Sequence, residues 1–129
     1  MSLNKEQFEF TKDVASLIVY ANLLGIDLTF GEAHRTNSQV LLNFFGYKVV
    51  KGGILGIKLV KSKKLSKTLK SNHLKRLAVD FNFFINGKLT YDKHNLAELG
   101  RFWESLNPKN RWGGNFKSFT DTPHFERNV

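Results

Sequence analysis

The chain has 129 residues, enough for one domain, and its 41% apolar and 13% aromatic content excludes a disordered polymer. Cys is absent, which excludes disulfides and thiolate metal sites, so any metal must be held by His and carboxylates. Twenty Lys and Arg against eleven Asp and Glu give a formal charge of +9. Such a surface seeks polyanions, and charge alone does not choose among nucleic acid, anionic lipid and an acidic cell-wall polymer.

No stretch approaches the ~20 apolar residues of a membrane span. Met1 to Gln7 show no basic region followed by an apolar run, so no secretory signal is expected. Leu3, Phe10, Val14, Leu17, Ile18, Ala21 and Leu24 recur at helical spacing. They predict a helix over 4–24, with Asn4 and Gln7 as a capping box and Gly25 as its stop. Ile26, Leu28 and Phe30 then alternate with polar residues as a short strand. Thr36 is placed to cap a second helix carrying Val40, Leu41, Phe44 and Phe45, closed by Gly46.

Residues 46–72 change character. Eight lysines lie between Lys48 and Lys70, no acidic residue occurs between Glu32 and Asp80, and Gly52, Gly53 and Gly56 break the apolar runs. A hairpin or a long loop is expected. The clearest strand follows, with Leu77, Val79, Phe81, Phe83 and Ile85 on one face. Asn86-Gly87 signals a hairpin turn and Leu89–Tyr91 the return strand. Leu96, Leu99, Phe102, Trp103 and Leu106 mark a third helix, stopped at Asn107-Pro108. Trp112 to Asn115 reads as a turn, and a short strand is placed near His124 and Phe125. Helices and an antiparallel sheet are mixed without a βαβ rhythm, so the fold class is α+β, a single domain over 1–129.

Four His remain to be weighed. His94, near the start of the third helix, reads as solvated or capping, and His34 as a turn residue. Asp80 lies on the strand face of Ala78 and Asn82, opposite the apolar face, so its carboxylate is presented at one surface of the sheet. His73 is an odd number of residues earlier, and the two converge only if His73 sits on a loop folded over the Asp80 face. By spacing alone, a lysine-paired Asp80 and an exposed His73 are the more ordinary arrangement. In Asp121-Thr122-Pro123-His124, Pro123 fixes the backbone before His124. Two His and one Asp are a catalytic zinc ligand set that leaves a position for water. A second, unliganded carboxylate would move the proton, and a cation such as Arg35 would face an oxyanion.

Ser71-x-His73-x-x-x-x-Ala78-x-Asp80, followed by Asp121-x-x-His124, resembles the zinc site of the D-Ala-D-Ala carboxypeptidase family. That family includes VanY-like and VanX-like peptidases and phage L-alanyl-D-glutamate endopeptidases, with the pattern S-x-H-x-x-G-x-A-x-D and then E or D-x-x-H. Glu32-Ala33-His34-Arg35-Thr36 with Gln39 is similar to the family's upstream Arg segment, and Trp112-Gly113-Gly114 to its W-G-G turn. The resemblance covers roughly residues 26–127. It implies a Hedgehog/DD-peptidase-like fold, with Zn2+ held by His73, Asp80 and His124, Asp121 as general base and then acid, and Arg35 polarising the scissile carbonyl. It also implies Ser71 and Gln39 as substrate contacts. Asp rather than Glu at position 121 leans toward the phage endolysin branch, acting on peptidoglycan stem peptides from the host cytoplasm once a holin opens the membrane. The alternative within that chemistry is a D-alanyl-D-alanine carboxypeptidase. One departure is notable: the family glycine falls at Arg76, which would be strained if that backbone is left-handed.

The lysine-rich segment has no counterpart in this resemblance. It reads as a solvated loop, with adhesion to anionic envelope polymers through Lys48–Lys70 as the alternative. A reading of a different class, a basic nucleic-acid-binding protein stacking bases on Phe81, Phe83 and Phe84, fits the charge. Phe81 and Phe83 share the apolar face with Leu77 and Val79, however, so no nucleic-acid partner is expected.

Overall fold

A computed structural model describes residues 1–54, 56–64 and 70–129. Helix α1 spans Leu3–Leu23. Its cap is Ser2, whose hydroxyl accepts from the Lys5 backbone N–H, so the predicted Asn4 box is replaced by a cap two residues earlier. Gly25, at φ 75°, ends the helix as expected. Strand β1 (Asp27–Phe30) follows, then α2 (Asn37–Phe45), capped by Thr36 and stopped by left-handed Gly46. The lysine-rich segment forms a hairpin of β2 (Tyr47–Lys51) and β3 (Ile57–Lys61). Its Lys67 lies outside the described residues.

Strand β4 (Ala78–Ile85) turns through Asn86 and Gly87, both at positive φ, into β5 (Lys88–Thr90). Helix α3 (Lys93–Leu106) is capped by Asp92. Strand β6 (Asn110–Trp112), a single 3-10 turn over Gly113–Asn115, and strand β7 (His124–Arg127) complete the chain. The main sheet is antiparallel in the order β1-β4-β7-β6, with β5 also paired to β4. The fold is α+β, as the sequence pattern implies. Among the described residues no helix is long and apolar enough to cross a membrane.

Period-two alternation decides what each face of the sheet does. Leu77, Val79, Phe81 and Phe83 point one way and are fully or almost fully buried. They meet Phe10, Leu17 and Ala21 of α1 and Leu96, Leu99 and Trp103 of α3 in one core. Phe81 and Phe83, at 0% exposure, are therefore core residues and offer no stacking platform. Phe125 of β7 joins the same core, flanked by Trp103 and Phe83 at ring separations of 5.8 Å. The helices cover this face, and the opposite face of β4 and β7 is left to carry polar groups.

The segment before β4 is a single helical turn. Leu74 N donates to Ser71 O, and Leu77 N reaches back to Asn72 O at 2.9 Å. That six-to-one closure needs a left-handed residue, and Arg76 supplies it at φ 57°. The position where the resemblance expects glycine does require a glycine-like backbone. Left-handed geometry costs an L-residue roughly 1–2 kcal/mol, while glycine loses about 0.4–1 kcal/mol more chain entropy on folding. Arg76 is exposed, so Arg76→Gly is expected to stabilise the fold by about 0.5–1 kcal/mol. Denaturant melts check this, and an unchanged or lower stability would contradict it.

Candidate metal centre

The register of β4 against β7 places Asp80 directly opposite His124, and Ala78 opposite Glu126. Both pairs lie on the face away from the core. His124 Nδ1–H donates to Asp80 Oδ1 at 3.0 Å, and Nε2–H to Glu126 Oε1 at 2.6 Å. His73 enters from the turn before β4, as the odd spacing demands, and its Nε2 lies 3.4 Å from Asp80 Oδ1. Its other nitrogen, Nδ1, is 3.0 Å from the Ala33 carbonyl. A carbonyl only accepts, so Nδ1 carries a proton, and Nε2 is the ring atom turned to Asp80. One nitrogen of each imidazole and one Asp80 oxygen all lie within 4.8 Å of one another, and among the described residues this is the group arranged to hold a metal ion.

Each donor has a support behind it. Glu126 orients the His124 ring and is itself held by Arg111 and by Asn72 Nδ2 at 2.9 Å. Ala33 orients His73, and Ser71 Oγ accepts from the His73 N–H at 3.2 Å. His34, the expected turn residue, has its Nδ1 3.2 Å from the His73 carbonyl, while His94 is exposed in the first turn of α3. Glu126 is not among the residues that the sequence motifs single out. Period two alone puts it on the His124 face, and that was the signal available.

Asp121 is half-buried and lines the same open cleft of about 1090 Å3 as Arg35, His73, Asp80 and His124. Its loop is pinned on both sides. Asp121 N donates to Gly113 O at 2.9 Å, and Trp112 Nε1 donates to Thr122 O at 2.8 Å. A Cβ on Gly113 would lie 2.1 Å from the Asp121 carbonyl oxygen, so the W-G-G turn needs that glycine for the close approach. Arg35 is held by Glu32 through two hydrogen bonds of 2.8 Å and donates to Ser71 Oγ at 3.4 Å. Two of its five N–H groups are left for another acceptor. Ser71 is buried and spent on His73 and Arg35, linking the two. Gln39 is placed elsewhere: it is exposed on α2, its side-chain amide donates to Asn43, and it is not among the described residues lining the cleft.

Electrostatics follow from this packing. Burial pushes the Asp80 carboxyl up, but hydrogen bonds from His124 and His73 outweigh it and hold it at about 2. Burial pushes the His124 imidazole down, but Asp80 and Glu126 outweigh that and hold it at about 9. Glu126, despite burial, is held below its ordinary value by His124 and Arg111. Asp121 goes the other way, because burial, helped by the Asp80 charge, raises it. Two carboxyls in one cleft are thus driven apart, one firmly ionised and one more ready to take a proton.

The family model described as D-alanyl-D-alanine carboxypeptidase matches residues 64–127, the stretch that holds His73, Asp80, Asp121 and His124. Over that stretch, just under half of the chain, the protein resembles this peptidase family. Among solved structures, the peptidase is similar to the Serratia marcescens L-Ala D-Glu endopeptidase ChiX, with a TM-score of 0.64 and 19% identity over 93% of this chain and 78% of that one. At that identity the likeness speaks for the fold. No curated protein sequence matches the peptidase significantly.

The metal-free peptidase should show the charge arrangement as a pH dependence. Asp80, held at about 2 against an ordinary 3.8, stabilises the fold above pH 3.8, and that contribution fades as pH falls toward 2. His124, held at about 9 against 6.5, stabilises it fully below pH 6.5, and that contribution is lost as pH rises through 9. Thermal melts in chelator are expected to give the highest Tm between pH 3.8 and 6.5 and a steady fall toward pH 9. A Tm that holds constant from pH 6.5 to 9 would contradict the assignment.

Proposed function

We propose that the peptidase is a zinc-dependent peptidoglycan hydrolase that cuts stem peptides at the L-Ala–D-Glu bond and serves as a phage endolysin in host lysis. The observation that carries this reading is the meeting of His73 Nε2, Asp80 Oδ1 and His124 Nδ1 beside Asp121, all within the segment matched by the family model. The donor set fits zinc: two imidazole nitrogens and one carboxylate oxygen leave a fourth position open, as catalytic zinc requires. Zinc held there supplies Lewis acidity, which brings water to nucleophilic strength near neutral pH.

The chain's own residues do the rest. Asp121, with its raised carboxyl, takes a proton from the attacking water and returns it to the leaving amine. Arg35 keeps its charge through the Glu32 pair and turns its remaining N–H groups to the scissile carbonyl, where negative charge develops. Glu126 and Ala33 hold the two rings so that the donor atoms are in place before substrate arrives. Support for the endopeptidase bond comes from the fold shared with ChiX. Support for the phage branch comes from Asp rather than Glu at position 121. In this reading the enzyme waits in the host cytoplasm until a holin opens the membrane. A D-alanyl-D-alanine carboxypeptidase would use the same residues, and the two differ in product.

Mass spectrometry of purified peptidoglycan treated with the enzyme tests the proposal. The expected product carries a new free amine on D-Glu, disappears with chelator and returns with zinc. Release of D-Ala would move the enzyme to the carboxypeptidase reading, and a chelator-resistant product would contradict the zinc centre. Asp121→Ala is expected to lower turnover by at least about 100-fold while zinc stays bound. His73→Ala is expected to lose both zinc and activity. Full activity in Asp121→Ala would overturn the assigned role.

A further inference from the structure

The β2–β3 hairpin stands apart from the main sheet, and its composition has a geometry. Its register sets Tyr47 opposite Lys61, Val49 opposite Leu59, and Lys51 opposite Ile57. Cross-strand partners share a face, so Tyr47, Val49, Leu59 and Ile57 form one apolar patch with a lysine at either end. These four residues are 38%, 52%, 57% and 62% exposed. The other face turns Val50 and Val60 inward, where both are half-buried, and β2 packs against α2. An amphipathic hairpin buries its apolar side and wets its polar one. This hairpin has an apolar side left over. At its tip, between left-handed Gly53 and Gly56, Ile54 is fully exposed. Lys51 and Lys61 close the two ends of the patch, Lys63 follows just beyond it, and Lys48 and Lys58 lie on the opposite face beside Val60 and Val50; all five are exposed, with no acidic residue from Ala33 to Val79.

Charge and apolar surface together select the occupant. A second copy of the chain would set lysines against lysines. A soluble polyanion would satisfy the lysines and leave Ile54, Ile57, Leu59 and Val49 in water. The surface of an anionic bilayer satisfies both: phosphate headgroups meet the ammonium groups while aliphatic side chains enter the boundary with the acyl chains. Tyr47, with the Lys61 ammonium 5.8 Å from its ring centre, has the amphipathic character favoured at that depth. We propose that the β2–β3 hairpin docks the protein on membranes rich in anionic phospholipid, with Ile54 leading into the interface. The base of the hairpin is closed by Ser62 N donating to Gly46 O at 2.6 Å, so docking fixes the attitude of α2 and of the whole domain to the membrane. This inference is independent of the reaction proposed above, because none of these residues belongs to the metal centre.

Co-sedimentation of the full chain with large vesicles is the test. Vesicles of equal parts phosphatidylcholine and phosphatidylglycerol are expected to carry the protein down at low salt, and pure phosphatidylcholine vesicles to leave it in solution. Lys51→Gln and Lys61→Gln, which lie on the face of the patch, should each lower partitioning about fivefold. The double variant Ile54→Ser, Ile57→Ser keeps every charge, and it should lower partitioning by about tenfold or more with an unchanged Tm, since both residues lie outside the core. Ile54→Trp should shift its emission to the blue on anionic vesicles, against a constant background from buried Trp103 and Trp112. Equal partitioning of the serine variant overturns the proposal, as does a bound Ile54→Trp protein whose added indole still emits as in water. Binding to polyphosphate without binding to either vesicle also overturns it, and would reassign the hairpin to a soluble polyanion.

Discussion

The pairing of β4 with β7 is the constraint on which the rest depends. One register does two jobs: it puts Val79 against Phe125 on the core side and Asp80 against His124 on the other. A slip of one residue would send Phe125 to the cleft and His124 into the core, so hydrophobic burial and the candidate metal centre are fixed by the same choice. The register has its own anchor. Arg127, the last residue of β7, is 1% exposed and donates to Asp13 Oδ2 at 2.6 Å, Glu6 Oε2 at 3.3 Å and Asn110 Oδ1 at 3.1 Å. These contacts join β7 to α1 and β6. Lys109 completes the set on Glu6, and the Glu6 carboxyl is held below its ordinary value mainly by that lysine. A buried guanidinium with these partners has few alternative positions, because any shift of β7 would leave charges unpaired away from water.

Around that register the site is built as a chain of supports. Glu32 grips Arg35, Arg35 reaches Ser71, Ser71 receives the His73 N–H, and His73 faces Asp80. From the other side Arg111 and Asn72 hold Glu126, which holds His124. Asn72 belongs to the same turn as His73, so the two imidazoles are positioned by one short segment and one strand pair. Without metal, the His124 imidazolium sits between two carboxylates and supplies the positive charge that the cluster needs. A cation held by His73, Asp80 and His124 would take over that role and displace the proton between His124 and Asp80.

Much of this was legible in the sequence where local rules suffice. The alternation from Leu77 to Ile85 and the Asn86-Gly87 turn led directly to β4 and β5. Thr36 and Gly46 bounded α2, and the odd spacing between His73 and Asp80 required the loop that the structure contains. Motif resemblance supplied the meeting of Asp80 with His124, which no local rule reaches across forty-four residues. For β7 the pattern points only to a short strand near His124 and Phe125, with nothing to indicate its neighbours. The strand is paired on both sides and buried, since each charge finds a partner from a distant element. The cap of α1 shifted to Ser2 because Ser and Asn both qualify there and helix packing decides the start. Gln39 matched by motif but lies on the exposed face of α2, where Asn43, one turn later, takes its amide.

The central claim is that this register creates a metal centre from three particular atoms. Crystals grown with zinc, measured on both sides of the zinc absorption edge, test it most directly. One dominant anomalous peak is expected, bonded to His73 Nε2, Asp80 Oδ1 and His124 Nδ1, with Glu126 still on His124 Nε2. A peak bound through His124 Nε2, a dominant peak elsewhere, or none at the cluster would contradict the claim.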